Sequence, residues 1–232
     1  MRIGIIAEGR GDCAVLNNIL WTILNDDDDI QFLRPEFDLD ETDLQGGEYK
    51  EMTADEFSSW TLVQKDCVER SRLQSFLVDE NIIDEERAII IQIDTAECEL
   101  ENYDVIRPAK DSNYCTNLRT SVINQINKWL NNQYTGQLYY AICIEEMEAW
   151  LLTLFETKDS SQYPDPKRKF HRLISKKKSS DKKFDKKTQK IAQKSDFEKM
   201  SFYAADFKKK KKLTAALKYN QSLNDFVTSL KQ

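Results

Sequence analysis

Histidine is nearly absent from this chain of 232 residues: there is one, His171. A zinc site built on imidazoles or a Ser-His-Asp triad is therefore hard to assemble, and any catalysis has to rest on carboxylates, lysines or a bound metal. Glycine and proline are scarce as well, at six and four residues, which excludes collagen-like and low-complexity chains. No apolar run approaches the length of a membrane span, and the mean hydropathy is −0.64. The five cysteines are odd in number and include no Cys-x-x-Cys pair, so a disulfide framework or a zinc ribbon is not expected and the thiols read as reduced. The apolar stretch that begins at Ile3 turns polar by Glu8, too early for the hydrophobic region of a secretory signal. A cytoplasmic protein without membrane contact is expected.

What remains is 40% apolar and 32% charged, enough to bury a core in one large or two small domains. The formal net charge of −6 conceals a polarity along the chain. Residues 1–160 carry 13 Lys and Arg against 33 Asp and Glu, a net of −20, whereas residues 161–232 carry 21 against 7, a net of +14. Such an asymmetry points to a nucleic-acid or acidic-partner surface at the basic end, or to two halves that neutralise each other.

Strand and helix signals alternate. Ile3-Gly4-Ile5-Ile6-Ala7 has the short, β-branched, non-alternating character of a strand buried on both faces. A turn with two glycines, Glu8-Gly9-Arg10-Gly11-Asp12, follows, and Asp12 is placed to cap a helix carrying Val15, Leu16, Ile19, Leu20, Ile23 and Leu24 on one face. Ile30-Gln31-Phe32-Leu33 with Phe37 makes a weaker strand, before a polar loop at Gly46-Gly47. A helix is expected between Leu62 and Val78, the strongest strand at Ala88-Ile89-Ile90-Ile91-Gln92-Ile93 ending on Asp94, a helix from Cys115 to Asn131, and a strand from Leu138 to Ile144. The expectation is an α/β fold with a largely parallel sheet over 1–160 and a basic helical region over 161–232, with helical spacing at 188–200 and 220–231. Trp21, Trp60, Trp129 and Trp150 fall at apolar helical positions or beside them and are assigned to the core.

Three groups of carboxylates stand just past three of these strands: Glu8; Asp94 and Glu97; and Glu145, Glu146 and Glu148. In open α/β sheets the C-terminal strand edge is where ligands bind, so the groups are brought together despite their distance in sequence. Clustered carboxylates repel unless a cation neutralises them, and all-oxygen ligation suits Mg²⁺ or Mn²⁺. Taken singly, each acid is better explained by the dipole of the helix that follows its strand; it is the set of three that favours the metal site. The glycine turn lacks the P-loop and dinucleotide signatures, although Arg10 is placed to meet a phosphate.

The order Ile3-Gly4-Ile5-Ile6-Ala7-Glu8-Gly9, then Ile89-Ile90-Ile91-Gln92-Ile93-Asp94-Thr95-Ala96-Glu97, resembles a Toprim domain. That fold occurs in topoisomerases, primases and nucleases of the overcoming-lysogenization-defect type. Glu145-Glu146-Met147-Glu148-Ala149-Trp150-Leu151-Leu152, Lys183-Phe184-Asp185-Lys186 and the closing segment from Asn220 to Phe226 are similar to small bacterial Toprim-like proteins encoded beside ABC-type ATPases in antiphage defence loci. The resemblance implies a Toprim-like α/β domain and a metal-dependent nuclease acting on DNA or RNA. It also implies control by a partner ATPase. It gives Glu8, Asp94 and Glu148 as ligands of Mg²⁺ or Mn²⁺, with Glu97 added only by its proximity to the pattern's second acid, and Lys186 is placed near the metal to help bind a scissile phosphate. One departure stands out: where the family pattern has the second aspartate of Asp-x-Asp, this chain has Ala96, with Glu97 one position later.

Phosphate backbones are expected to meet Arg10, Lys183, Lys187, Lys208, Lys209, Lys210, Lys211 and Lys212. Phe170, Phe184, Phe197, Phe202, Tyr203 and Phe207 lie among these lysines and are assigned mainly to packing. The rival reading is a catalytically degenerate interaction protein whose acidic half docks on an ATPase or other partner, and Ala96 is the feature in its favour.

Overall fold

The computed structural model describes residues 1–25, 28–36, 60–78 and 86–231; Phe37, Gly46 and Gly47 lie outside them. Four parallel strands, β1 (Arg2–Ile6), β2 (Asp29–Arg34), β3 (Arg87–Asp94) and β4 (Leu138–Cys143), form one sheet in the order β2-β1-β3-β4. The central strand β3 shows why its signal is strongest. Every residue from Arg87 to Ile93 is buried, with Ile90 and Gln92 on one face and Ile89, Ile91 and Ile93 on the other. Edge strand β2 alternates between exposed and half-buried positions until buried Leu33, in keeping with its weaker pattern. The α/β architecture expected from the sequence is the one found.

One face of the sheet carries α1 (Arg10–Ile23), the short α5 (Glu148–Leu152) and the C-terminal helices: α6 (Pro166–Ser180), α7 (Lys182–Ile191), α8 (Asp196–Tyr203), α9 (Lys210–Ala216) and α10 (Gln221–Ser229). The other carries α2 (Trp60–Glu69), α3 (Ser71–Leu77) and α4 (Tyr114–Trp129). The basic C-terminal helices thus share a core with the sheet. Trp150 stacks on Phe226 with ring centroids 5.5 Å apart and donates its indole N–H to Ser222 Oγ at 2.8 Å. Phe170 and Phe207 are buried in this core, while Phe184, Phe197, Phe202 and Tyr203 are half-buried in edge-on or tilted ring contacts, in line with a packing role. All five cysteines are buried and unpaired.

Several local expectations need correction. The α1 helix starts at Arg10, with Gly9 at its N-cap in extended conformation, so Asp12 lies inside the first turn and does not cap it. The expected helix from Leu62 to Val78 is two, because Arg70 adopts a left-handed backbone (φ 60°) between α2 and α3. The helical pattern over 188–200 is likewise divided, since Ser195 and Glu198 form a reciprocal capping box that starts a new helix, α8. Trp60, Trp129 and Trp150 are core, but Trp21 is 68% exposed: with Arg10 and Asn17 it follows the solvent side of α1, opposite the stripe from Cys13 to Leu20. No described helix is long and apolar enough to cross a membrane.

Candidate functional site

The strand order places the site. From β1 the chain turns outward to β2, and from β3 it turns the other way to β4, so β1 and β3 are the adjacent strands between which the winding reverses. A crevice opens beyond the C-terminal ends of strands at such a point. Glu8 lies two residues past the end of β1, and Asp94 is the last residue of β3.

Their side chains are held by the backbone around them. Glu8 Oε1 accepts the Asp94 backbone N–H at 2.6 Å. Buried Gln92 ties the two strand ends together, its Oε1 accepting the Glu8 N–H at 3.0 Å and its Nε2 donating to Asp94 Oδ1 at 2.9 Å. Asp94 Oδ2 accepts the Met147 N–H at 3.4 Å from the loop after β4, and the Asp94 carbonyl accepts Tyr103 O–H at 3.0 Å.

Two further acids complete the cluster. Asp12, in the first turn of α1, and Glu148, at the start of α5, act on each other and on Asp94 through their charges. Burial is the main cause of a common upward shift in proton affinity. It raises Glu8 from 4.5 to about 8, helped by Asp12 and Glu97 and opposed by the Asp94 N–H. It raises Asp12 from 3.8 to about 7, with Glu148 next in importance. Asp94 is pushed well above the carboxylate range by burial and then by Glu8, Asp12 and Glu148, and Glu148 is raised by burial and by Glu146. Burial and mutual repulsion oppose full ionisation of these four half-buried carboxylates, and a nearby positive charge would relieve that repulsion.

Glu97 stands at the rim: it is exposed, and its charge reaches Glu8. Ala96, beside it, is also exposed. Glu145 has a different task. It is buried with a left-handed backbone (φ 64°), its Oε1 accepts from Arg107 Nη1 at 2.7 Å, and Arg107 Nη2 also reaches the Thr95 and Ala96 carbonyls at 2.7 and 3.0 Å. The Glu145 carbonyl accepts the N–H groups of Thr95 and Ala96 at 3.1 and 2.9 Å, and its own N–H donates to Thr95 Oγ1 at 2.8 Å. This clamp fixes the loop that follows Asp94 to the loop that leads to Glu148.

A cation whose charge acts on two of the carboxylates is one the sequence reading did not single out. Lys167, in the first turn of α6, opposes the upward shifts of both Asp12 and Glu148, and His171 does the same for Glu148. Its backbone N–H donates to Glu146 Oε2 at 3.2 Å. The helix starts there because Asp165 caps it through Arg168 N–H at 3.0 Å and Pro166 occupies the first turn. An open groove of about 880 Å³ runs from Glu146 along α6, lined by Lys167, Arg168, His171, Arg172 and Lys176.

The other basic candidates are dispersed. Arg10 opens α1 beside the cluster and reaches the Glu36 carbonyl at 3.5 Å. Lys183, Lys186 and Lys187 are exposed on α7, and no hydrogen bond or ion pair joins Lys186 to the four carboxylates. Lys208, Lys209, Lys210, Lys211 and Lys212 are exposed at the far end of α1, where Thr22 Oγ1 donates to the Phe207 carbonyl at 2.7 Å. That end of α1 lies toward the N-terminal edge of the sheet, away from Glu8 and Asp94.

Among the described residues, no three Asp, Glu, His or Cys side chains are grouped so as to hold a metal ion. The donor chemistry nonetheless suits a hard divalent cation: all-oxygen, desolvated and mutually repelling. No protein-family model matches the chain, and neither does any curated protein or any solved structure.

Proposed function

We propose that the protein is a metal-dependent phosphodiesterase acting on nucleic acid. The observation that supports this reading is the meeting of four desolvated carboxylates, Glu8, Asp12, Asp94 and Glu148, with the cationic groove of α6 at one strand edge. The carboxylates would hold Mg²⁺ or Mn²⁺, which when bound supplies an activated water and charge stabilisation at the phosphate. Glu97 at the rim is the reserve ligand in place of the acid missing at Ala96. Lys167 and the α6 groove would hold the substrate backbone with its phosphate against the cluster, by point charges that carry no sequence preference. Gln92 and the Arg107–Glu145 clamp keep the acids in register. In line with the Toprim resemblance, control by an ABC-type ATPase belongs to the same proposal, as does a role in antiphage defence.

The decisive experiment is cleavage of labelled single-stranded and duplex DNA and RNA with Mg²⁺ or Mn²⁺, using the wild type and the Glu8→Ala and Asp94→Ala variants. Both substitutions relieve repulsion, so the fold is expected to survive while cleavage is abolished. Full activity in either folded variant would show the site to be wrong.

Ala96 favours a second reading, a metal-free interaction module docking through its acidic half. Calorimetry separates the two: a docking module shows no Mn²⁺-dependent heat that Asp94→Ala removes.

A further inference from the structure

Among the described tryptophans, Trp21 alone is exposed, at 68%, while Trp60, Trp129 and Trp150 are buried to 9% exposure or less. An indole of that exposure on an otherwise well-buried helix is unexplained by packing. Lys208 Nζ sits 4.9 Å from its ring centroid, and the four lysines that follow are all exposed. Lys209 pairs with Asp206 at 2.7 Å; no other lysine of the run has an ion-pair partner among the described residues. The described acids of the turn after α1 are committed elsewhere, Asp28 to the N-terminus at 2.8 Å and Asp29 to Arg2 at 3.3 Å. Three of the lysines also occupy the first turn of α9, where the backbone dipole disfavours cations, so the run does not stabilise the segment that carries it. Trp21 stands nine residues beyond Asp12 on α1, about 14 Å along the axis, so this surface is distinct from the carboxylate cluster.

We propose that Trp21 and the lysine run 208–212 form a second site for single-stranded nucleic acid, in which the indole stacks on an unpaired base and the lysines neutralise the flanking phosphates. A flat aromatic bordered by mobile cations is the pattern that holds single strands without reading sequence. A duplex offers the same phosphates but no free base face, so this site prefers the single strand. The site extends the nucleic-acid reading above but requires neither metal nor hydrolysis.

The test uses the full chain in EDTA with an oligothymidylate, a duplex of equal length and poly-glutamate. Binding of the oligothymidylate should quench the fluorescence of the exposed tryptophan, and Trp21→Ala should remove the quenching and weaken binding at least about fivefold, the lower end of what one stacked base contributes. Trp21→Phe, which keeps a stacking face, should recover most of the affinity. Glutamine at all five lysines should lower the slope of log K against log[salt] by up to about 3.5, at roughly 0.7 per phosphate contact. Absence of oligothymidylate binding, an affinity unmoved by Trp21→Ala, or an unchanged salt slope would each overturn the proposal. So would poly-glutamate binding as tightly as the oligothymidylate, which would assign the surface to an acidic protein. Because metal is absent throughout, a failure of the carboxylate site to bind Mn²⁺ or to cleave leaves these results untouched, and the two readings fail separately.

Discussion

Raising the pH of the metal-free protein is expected to destabilise it across a window where most carboxylates are silent. The folded chain holds protons on Glu8 and Asp12 that the unfolded chain releases near pH 4, since burial raises these groups to about 8 and about 7. Unfolding between those limits therefore releases protons, and stability falls as pH rises from about 4.5 to 8. At about 1.4 kcal/mol per tenfold change in proton affinity, the rise of Glu8 from 4.5 to about 8 sets a ceiling near 5 kcal/mol. Water at the half-exposed rim lowers that figure, and ionisation of one acid holds the proton on its neighbour, so the shifts do not add. A net loss of about 2–3 kcal/mol is the working expectation, a large part of the stability of a domain.

Urea denaturation in EDTA at stepped pH measures this directly, as a midpoint that falls between about pH 5 and pH 8 with unchanged slope. Millimolar Mn²⁺ or Mg²⁺ should restore the midpoint at the alkaline end, because a bound cation replaces the protons as the neutralising charge. Asp94→Asn removes one of the repelling groups and should flatten the profile. A midpoint that stayed level or rose with pH in wild-type protein would refute the claim that these carboxylates are buried together.

Other outcomes follow from the same geometry. Mn²⁺ titration should show Glu97→Ala to weaken binding far less than Asp12→Ala or Asp94→Ala, because Glu97 stands exposed at the rim while the other two lie within the cluster. Arg107→Ala should lower thermal or urea stability by about 2–3 kcal/mol, since it strands the buried Glu145 carboxylate and leaves two carbonyls without their donor; Glu145→Gln, which keeps an acceptor, should cost less. Gly4→Ala should cost about 1–3 kcal/mol in the same assay, because a Cβ there would stand 2.6 Å from Leu33 Cδ1 and 3.0 Å from the Phe76 ring.

What the sequence made legible depended on whether one segment carried the signal alone. Strands β1, β3 and β4 did, because burial on both faces leaves an uninterrupted apolar run, and Glu8 and Asp94 followed from their position at the ends of those runs. Asp12 did not, because an acid in the first turn of a helix is already accounted for by the dipole. Its role appears only when the pairing of β1 with β3 turns that helix start toward Asp94. Lys167 was hidden for a related reason: in a segment rich in lysine, no spacing distinguishes the residue that Asp165 and Pro166 start on the helix beside Glu148. The charge asymmetry was visible from the start, yet it stood for two populations of cation. Lys167 acts on Asp12 and Glu148 of the other half, so part of the +14 is spent within the molecule on the charge of the cluster. The lysines of 208–212 are exposed, and among the described residues Lys209 is the one of them paired with an acid, so under the proposal their charge is what a partner would meet. Composition counts both alike; only the fold separates a lysine that acts on the acids of the other half from lysines that face solvent.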